Sequence, residues 1–150
     1  MNLFQQPISV RWADLDPNGH VRHSVYYDFG AQVRVSYLQK VGFGIEWMTR
    51  NGIGPVLFRE EAHFARELRL GDDLLIDVRL SGLSEDNRKW SIRHRITRGE
   101  KLCATIDLDG AWLDLNARHL ATPPAELTDK FAALPHTEDF RIISSAKGKP

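Results

Sequence analysis

The sequence predicts an α+β fold, with one long helix packed on an antiparallel sheet of about five strands. Three observations predict it. Val25, Tyr26, Phe29, Val33, Tyr37 and Leu38 recur every three or four residues, which draws one apolar stripe along a helix. Three later segments alternate instead: Leu74 to Leu80, Trp90 to Ile96 and Leu102 to Leu108 each place an apolar residue at every second position. Their connections, Ser84-Glu85-Asp86-Asn87 and Arg98-Gly99-Glu100, are short and turn-like, so these strands form an antiparallel meander. The helix stripe needs an apolar sheet face to cover it.

The elements follow in order. Ile8, Val10 and Trp12 alternate with Ser9, Arg11 and Ala13 and predict a short first strand. A polar loop runs from Asp14 to His20. The helix starts at Ser24, a good N-cap residue, has Asp28 near its positive end and stops at Gly42. Its length is about 17 residues, or roughly 25 Å. Phe43, Trp47 and Met48 then form either a pocket lid or a second core cluster. A strand from Val56 to about Leu68 carries Val56, Phe58, Ala62 and Phe64 on one face. Glu60 breaks that face and implies a bulge, a partner or a functional carboxylate. After the meander, Gly110 marks an expected bulge before Trp112, Leu113 and Leu115. Pro123 and Pro124 open a short second helix that Pro135 closes. Residues 1–150 read as one domain with its core in 5–134, and Ser144 to Pro150 read as a disordered tail.

Composition removes several classes of function. The 150 residues hold 20 Lys plus Arg against 20 Asp plus Glu, so no net field favours nucleic acid or an acidic membrane. Arg93, His94 and Arg95 are expected on one solvated strand face. The single cysteine, Cys103, forms no disulfide within the chain and lies among apolar neighbours, as an inert thiol does. No apolar run reaches the length of a membrane span, and Met1 to Pro7 lacks the pattern of a signal peptide. A cytoplasmic protein is expected.

The loop before the helix concentrates reactive groups: Asp14, Asp16, Asn18, His20 and His23. Pro17 and Gly19 fix its path. It runs into a helix N-terminus, where free N–H groups and the dipole favour developing negative charge. A carboxylate that attacks or activates water, next to N–H groups that hold an oxyanion, suits acyl transfer. Asp14 and Asp16 also suit the plainer task of capping the loop. The spacing of the acids and histidines matches no strong metal-ligand pattern, so no metal and no separate cofactor are expected.

Arg11-Trp12-Ala13-Asp14-Leu15-Asp16-Pro17-Asn18-Gly19-His20-Val21, followed by Tyr26, resembles the signature of 4-hydroxybenzoyl-CoA-thioesterase-like proteins and of the related plant acyl-carrier-protein thioesterases. Phe64 to Asp72 resembles the family's second strand and turn, and Gly110 to Leu115 its last strand. The resemblance spans about residues 5 to 134. It implies a hot-dog fold, a long central helix wrapped by a five-stranded antiparallel sheet, and hydrolysis of an acyl-CoA or acyl-carrier-protein thioester. CoA then belongs to the substrate.

Residue by residue, the resemblance implies that Asp16 is the catalytic acid, as nucleophile or general base, with Asn18 and His20 orienting it or the water. N–H groups near His23, Ser24 and Val25 would polarise the carbonyl. Tyr26 lies near the acyl pocket, and Gly54, Pro55 and Val56 line the site from the sheet. Asp14 holds the loop or pairs with Arg11; His23 caps the helix, contacts substrate or faces solvent. Two departures stand out. Arg22 and His23 replace a pair of asparagines, and Glu67 stands where most bacterial relatives have proline and plant-type enzymes have a nearby catalytic Glu. Glu67 is therefore a further catalytic candidate, with Glu60 as its rival and Glu61 as a substrate-binding candidate. The family's habit of joining two sheets side by side, with two sites at the interface, implies a homodimer or homotetramer. Two rival readings are a hydratase acting on acyl thioesters and a non-catalytic thioester-binding module.

Overall fold

The apolar stripe becomes α1 (Val25–Lys40), with Val25, Tyr26, Val33, Tyr37 and Leu38 buried, in the computed structural model, which describes residues 3–144. Ser24 occupies the N-cap position, but its side chain makes no capping bond because its backbone is already helical. Gly42 ends the helix with φ of +96°, a left-handed conformation that glycine adopts without penalty. Next comes α2 (Ile45–Asn51), which the sequence reading did not predict. Phe43 is buried and meets Trp47 edge-on at 4.9 Å, while Trp47 and Met48 pack against the core. They form a core cluster, not a lid.

The sheet comprises β1 (Phe4–Ile8), β2 (Ile53–Phe64), β3 (Leu74–Ser84), β4 (Lys89–Arg98), β5 (Lys101–Asp114) and β6 (His136–Ile143). Its order is β1-β3-β4-β5-β2, all antiparallel, with β6 running parallel to β3. β1 and β6 flank different halves of β3: β1 pairs with Leu74 to Val78 and β6 with Leu80 to Ser84. Leu74, Ile76, Val78, Leu80, Trp90, Ile92, Ile96, Ala104, Ile106 and Leu108 close on α1 to make the core. A short α3 (Ala125–Ala132) adds Leu127 and Phe131 to it. Among the described residues, no helix is long and apolar enough to cross a membrane.

Several boundaries differ from expectation, each for a local reason. The first strand is Phe4–Ile8, not Ile8 to Trp12. Arg11 N–H donates to Asp14 Oδ2 at 2.8 Å and winds Trp12–Asp14 into a 3-10 turn, leaving Trp12 80% exposed. β2 ends at Phe64 because the N–H groups of Ala65 and Arg66 both turn to the Cys103 carbonyl, at 2.8 and 2.9 Å. The sixth strand was missed because its exposed and half-buried residues give no strict alternation. His94 leaves the expected solvated face: it is fully buried on the helix side, between Arg93 and Arg95 on the outer side. Of the expected tail, residues 145–150 lie outside the described residues.

The expected bulge at Gly110 is on the other strand. β5 runs through Gly110 without an extra residue, and the extra residue is Phe58 of β2, between Leu57 paired with Gly110 and Arg59 paired with Asp109. Gly110 is small because the space is taken: an added Cβ would sit 2.5 Å from both Trp90 Cη2 and the Val56 carbonyl oxygen. The bulge inverts the alternation along β2. Before it, Pro55 and Leu57 face α1, lining one cavity with Arg34 and Tyr37. After it, Glu60 meets Arg34 and Phe64 meets Tyr26, while Arg59, Glu61 and His63 share the outer face.

Candidate active site

The loop that carries the acids is anchored at both ends. Asp14, 1% exposed, accepts Arg11 Nη2 at 2.7 Å and Nε at 3.1 Å as well as the Arg11 N–H. The Arg11 guanidinium holds the Asp14 carboxyl below the usual carboxylate range. Asp14 is thus the structural acid that pairs with Arg11. Val21 N–H donates to the Leu68 carbonyl at 2.8 Å, tying the loop to the segment after β2.

Asp16 heads a tight turn. Its Oδ1 accepts the N–H groups of Asn18 at 2.9 Å and His20 at 3.2 Å, and its own N–H donates to the His20 carbonyl at 2.8 Å. These bonds use Oδ1 alone, so the capping role leaves Oδ2 uninvolved in them. Gly19 closes the turn with φ of +82°. Asp16, His20, Val21, His23, Tyr26, Phe64, Ala65, Arg66 and Glu67 line one open groove of about 350 Å³. His20 Nε2 lies 3.6 Å from Glu67 Oε2, so the two flank the same side of it. Tyr26 forms the floor, 3% exposed and edge-on to Phe64 at 4.8 Å; burial pushes its hydroxyl pKa up.

Asn18 is exposed at the tip of the turn and does not line the groove. His23 and Ser24 are exposed at the helix start. The Val25 N–H is taken by the Arg22 carbonyl at 3.0 Å, whereas no loop carbonyl takes those of His23 or Ser24. Glu61 lies on the outer sheet face with Arg59 and His63. Gly54, Pro55 and Val56 are at the opposite end of β2 from Phe64, about 30 Å away at 3.3 Å per residue. Within one chain they do not meet Asp16.

A second polar cluster lies beneath α1, and the sequence reading did not name its centre. Arg34 Nη1 donates to His94 Nε2 at 3.0 Å, and His94 Nδ1–H donates to the Asp77 carbonyl at 2.8 Å. Burial, reinforced by Arg34, lowers the His94 pKa to about 3, so the imidazole is neutral. Arg34 Nη2 stands 3.9 Å from Glu60 Oε2, and burial raises the Glu60 pKa. Gly30 leaves room for this: a Cβ there would stand 3.1 Å from His94 Cδ2 and 3.2 Å from Arg34 Nη1. Two signals were present in the sequence, a charge four residues after Gly30 on the core side of the helix and a histidine in the apolar register of β4.

A single long helix wrapped by an antiparallel sheet, with an acid-bearing turn at the helix start, defines the hot-dog class of thioester hydrolases. The model of the thioesterase-like superfamily matches residues 10–131, and the chain belongs to that family. The chain is similar to a hypothetical protein from Thermus thermophilus, with 25% identity, 87% of this chain and 98% of that one covered, and a TM-score of 0.77. It also resembles a 1,4-dihydroxy-2-naphthoyl-CoA thioesterase from Synechocystis, with 18% identity, coverage of 91% and 100%, and a TM-score of 0.77. A hypothetical protein from Staphylococcus aureus, determined in complex with CoA, matches with 17% identity, coverage of 87% and 82%, and a TM-score of 0.80.

Proposed function

We propose that this thioesterase hydrolyses acyl-CoA to a free carboxylic acid and CoA at the groove beside Asp16. The observation that carries this reading is the Asp16 turn, where two backbone N–H groups hold Oδ1 and leave Oδ2 free at the edge of the groove. Oδ2 either takes a proton from the attacking water or attacks the thioester carbon itself. The His23 and Ser24 N–H groups, at the positive end of α1, face the oxygen that becomes negative. His20 and Glu67 orient the water or donate the proton that the leaving thiolate needs. The CoA bound by the similar Staphylococcus aureus protein supports CoA as the carrier.

The site is completed by a second copy. β2 is an edge strand of 12 residues that exposes Leu57, Phe58 and Phe64. Antiparallel pairing of this edge with its copy places the Phe64 end of one strand beside the Pro55 end of the other. Each groove then receives the partner's Gly54, Pro55 and Val56, which accounts for their 30 Å separation within one chain. The working form is a homodimer, or a tetramer of two such dimers.

Thiol release from short, long, branched and aromatic acyl-CoAs, with an acyl-carrier-protein thioester alongside, tests the reading. Asp16→Asn should lower kcat by about 10²-fold or more while leaving the melting temperature unchanged. No release from any of these substrates by folded protein would refute it.

A further inference from the structure

We propose that the acyl group this enzyme accepts ends in a carboxylate, bound by Arg34 in the cavity between α1 and β2. The proposal rests on thioester hydrolysis at paired sites, and it names the substrate class. The cavity measures about 100 Å³ and is lined by Pro55, Leu57, Trp90, Trp112, Phe131 and the guanidinium of Arg34. Pro55 and Leu57 line it and are exposed on the β2 edge, so pairing of the β2 edges sets it beside the partner's groove. An acyl chain attached at one subunit's Asp16 therefore extends towards the other subunit's Arg34.

The polar groups on its walls are the Arg34 guanidinium, the Trp90 indole N–H and the Tyr37 hydroxyl, which gives its proton to the Lys130 carbonyl at 2.7 Å. The Arg34 side chain is only 15% exposed, and a guanidinium carries five N–H donors. Among the described residues, its one hydrogen bond goes to His94, whose Nδ1 proton is already used on Asp77, so a neutral ring supplies a single lone pair. The nearest carboxylate, Glu60, stands at 3.9 Å, beyond hydrogen-bond range. On the same lining, the indole Nε1 of Trp90 is buried and has no hydrogen-bond partner among the described residues. A methyl-terminated chain filling this cavity would seal these donors away from water with no acceptor, which is costly. A carboxylate takes the guanidinium fork with two parallel bonds, whereas a carbonyl or hydroxyl oxygen satisfies only one.

Glu60 is the competitor. It neutralises Arg34 at a distance when ionised, and the incoming carboxylate must displace it or meet it protonated. Removing that charge with Glu60→Gln should favour an acidic acyl group over a methyl-terminated one of the same length. Replacing the fork with Arg34→Met should remove the advantage of the acidic acyl group.

The experiment compares chain-length-matched pairs, plain acyl-CoA against ω-carboxyacyl-CoA, in the full-length protein. Binding of the matching non-hydrolysable S-alkyl-CoA and S-(ω-carboxyalkyl)-CoA thioethers is measured by calorimetry. The expected result is a preference of about tenfold or more in kcat/KM and in Kd for the acidic member, the order of one charge-assisted bidentate contact. Arg34→Met should abolish that preference and Glu60→Gln should increase it. Arg34→Lys, which keeps charge without the fork, serves if the methionine variant fails to fold, and should reduce it. Equal handling of both members, or a preference that survives in the Arg34 variants, would overturn the proposal. Hydrolysis of plain acyl-CoA with no acid preference leaves the thioesterase reading intact while removing this one. If no thioester is cleaved, the thioether pair still decides, because acid-dependent binding supports the cavity assignment and its absence refutes it.

Discussion

Gly110→Ala should destabilise this protein more than a single methyl group usually does. The new Cβ would lie 2.5 Å from the Val56 carbonyl oxygen and 2.5 Å from Trp90 Cη2, where ordinary contact is 3.4 to 4 Å. Roughly an ångström must open on both sides. Neither side gives way readily. The oxygen is main chain, in the register where Leu57 pairs with Gly110, and Trp90 is 2% exposed, with Trp112 and Phe131 rings 6.1 and 5.9 Å away. Overpacking of a tight core costs about 1–3 kcal/mol, and the backbone contact places this change near 3. At about 2–4 °C per kcal/mol for a chain of this size, the melting temperature should fall by roughly 6–12 °C. Urea unfolding followed by tryptophan fluorescence measures it, with an unchanged m-value expected. Gly71→Ala is the control: φ there is +89° with open space around it, so only the roughly 1–2 kcal/mol backbone term applies. A Gly110→Ala protein within about 0.5 kcal/mol of wild type, the range of ordinary surface changes, would refute the steric argument.

Other outcomes follow from the same geometry. His94 is held neutral with a pKa of about 3 against 6.5 when unfolded, so the unfolded chain binds the extra proton in between; stability should fall as pH drops from 6.5 towards 3, by up to about 1.4 kcal/mol per pH unit. Comparing His94→Gln with wild type in urea titrations between about pH 5 and 7 isolates that slope, and an unchanged slope would contradict a buried neutral ring. Phe58→Glu places a charge on the exposed bulge of the β2 edge and should shift light scattering towards monomer while far-ultraviolet circular dichroism stays native. Trp12→Ala, at a residue 80% exposed, should change the unfolding free energy by less than about 0.5 kcal/mol.

The helix and the meander were legible because each buries one face, and burial imposes a period: 3.6 in α1, two in β3, β4 and β5. The Asp16 turn was legible because Pro17, Asn18 and Gly19 dictate a turn chemically. Elements without a fully buried residue escaped: neither β6 nor α2 has one. First-strand placement failed on a competition between propensity and a single side chain, since alternation through Trp12 lost to the bond between Asp14 and the Arg11 N–H. The candidate site was readable only where it is local in sequence. Asp16, His20 and His23 share one loop, whereas Arg34, Glu60 and His94 come from three elements that only the fold juxtaposes. Gly54, Pro55 and Val56 lie at the far end of β2 from the Asp16 groove, a separation that the sequence does not display.

The Phe58 bulge makes β2 two half-strands in opposite phase. Upstream, odd-numbered residues answer to the helix; downstream, even-numbered ones do. A regular strand of the same residues, with Phe58 paired in turn, would rotate its second half by 180° and trade Glu60, Ala62 and Phe64 for Arg59, Glu61 and His63 against α1. One half shapes the cavity beneath Arg34 and the other the wall of the Asp16 groove. A single irregular residue thereby lets one strand line two separate cavities with side chains of opposite parity.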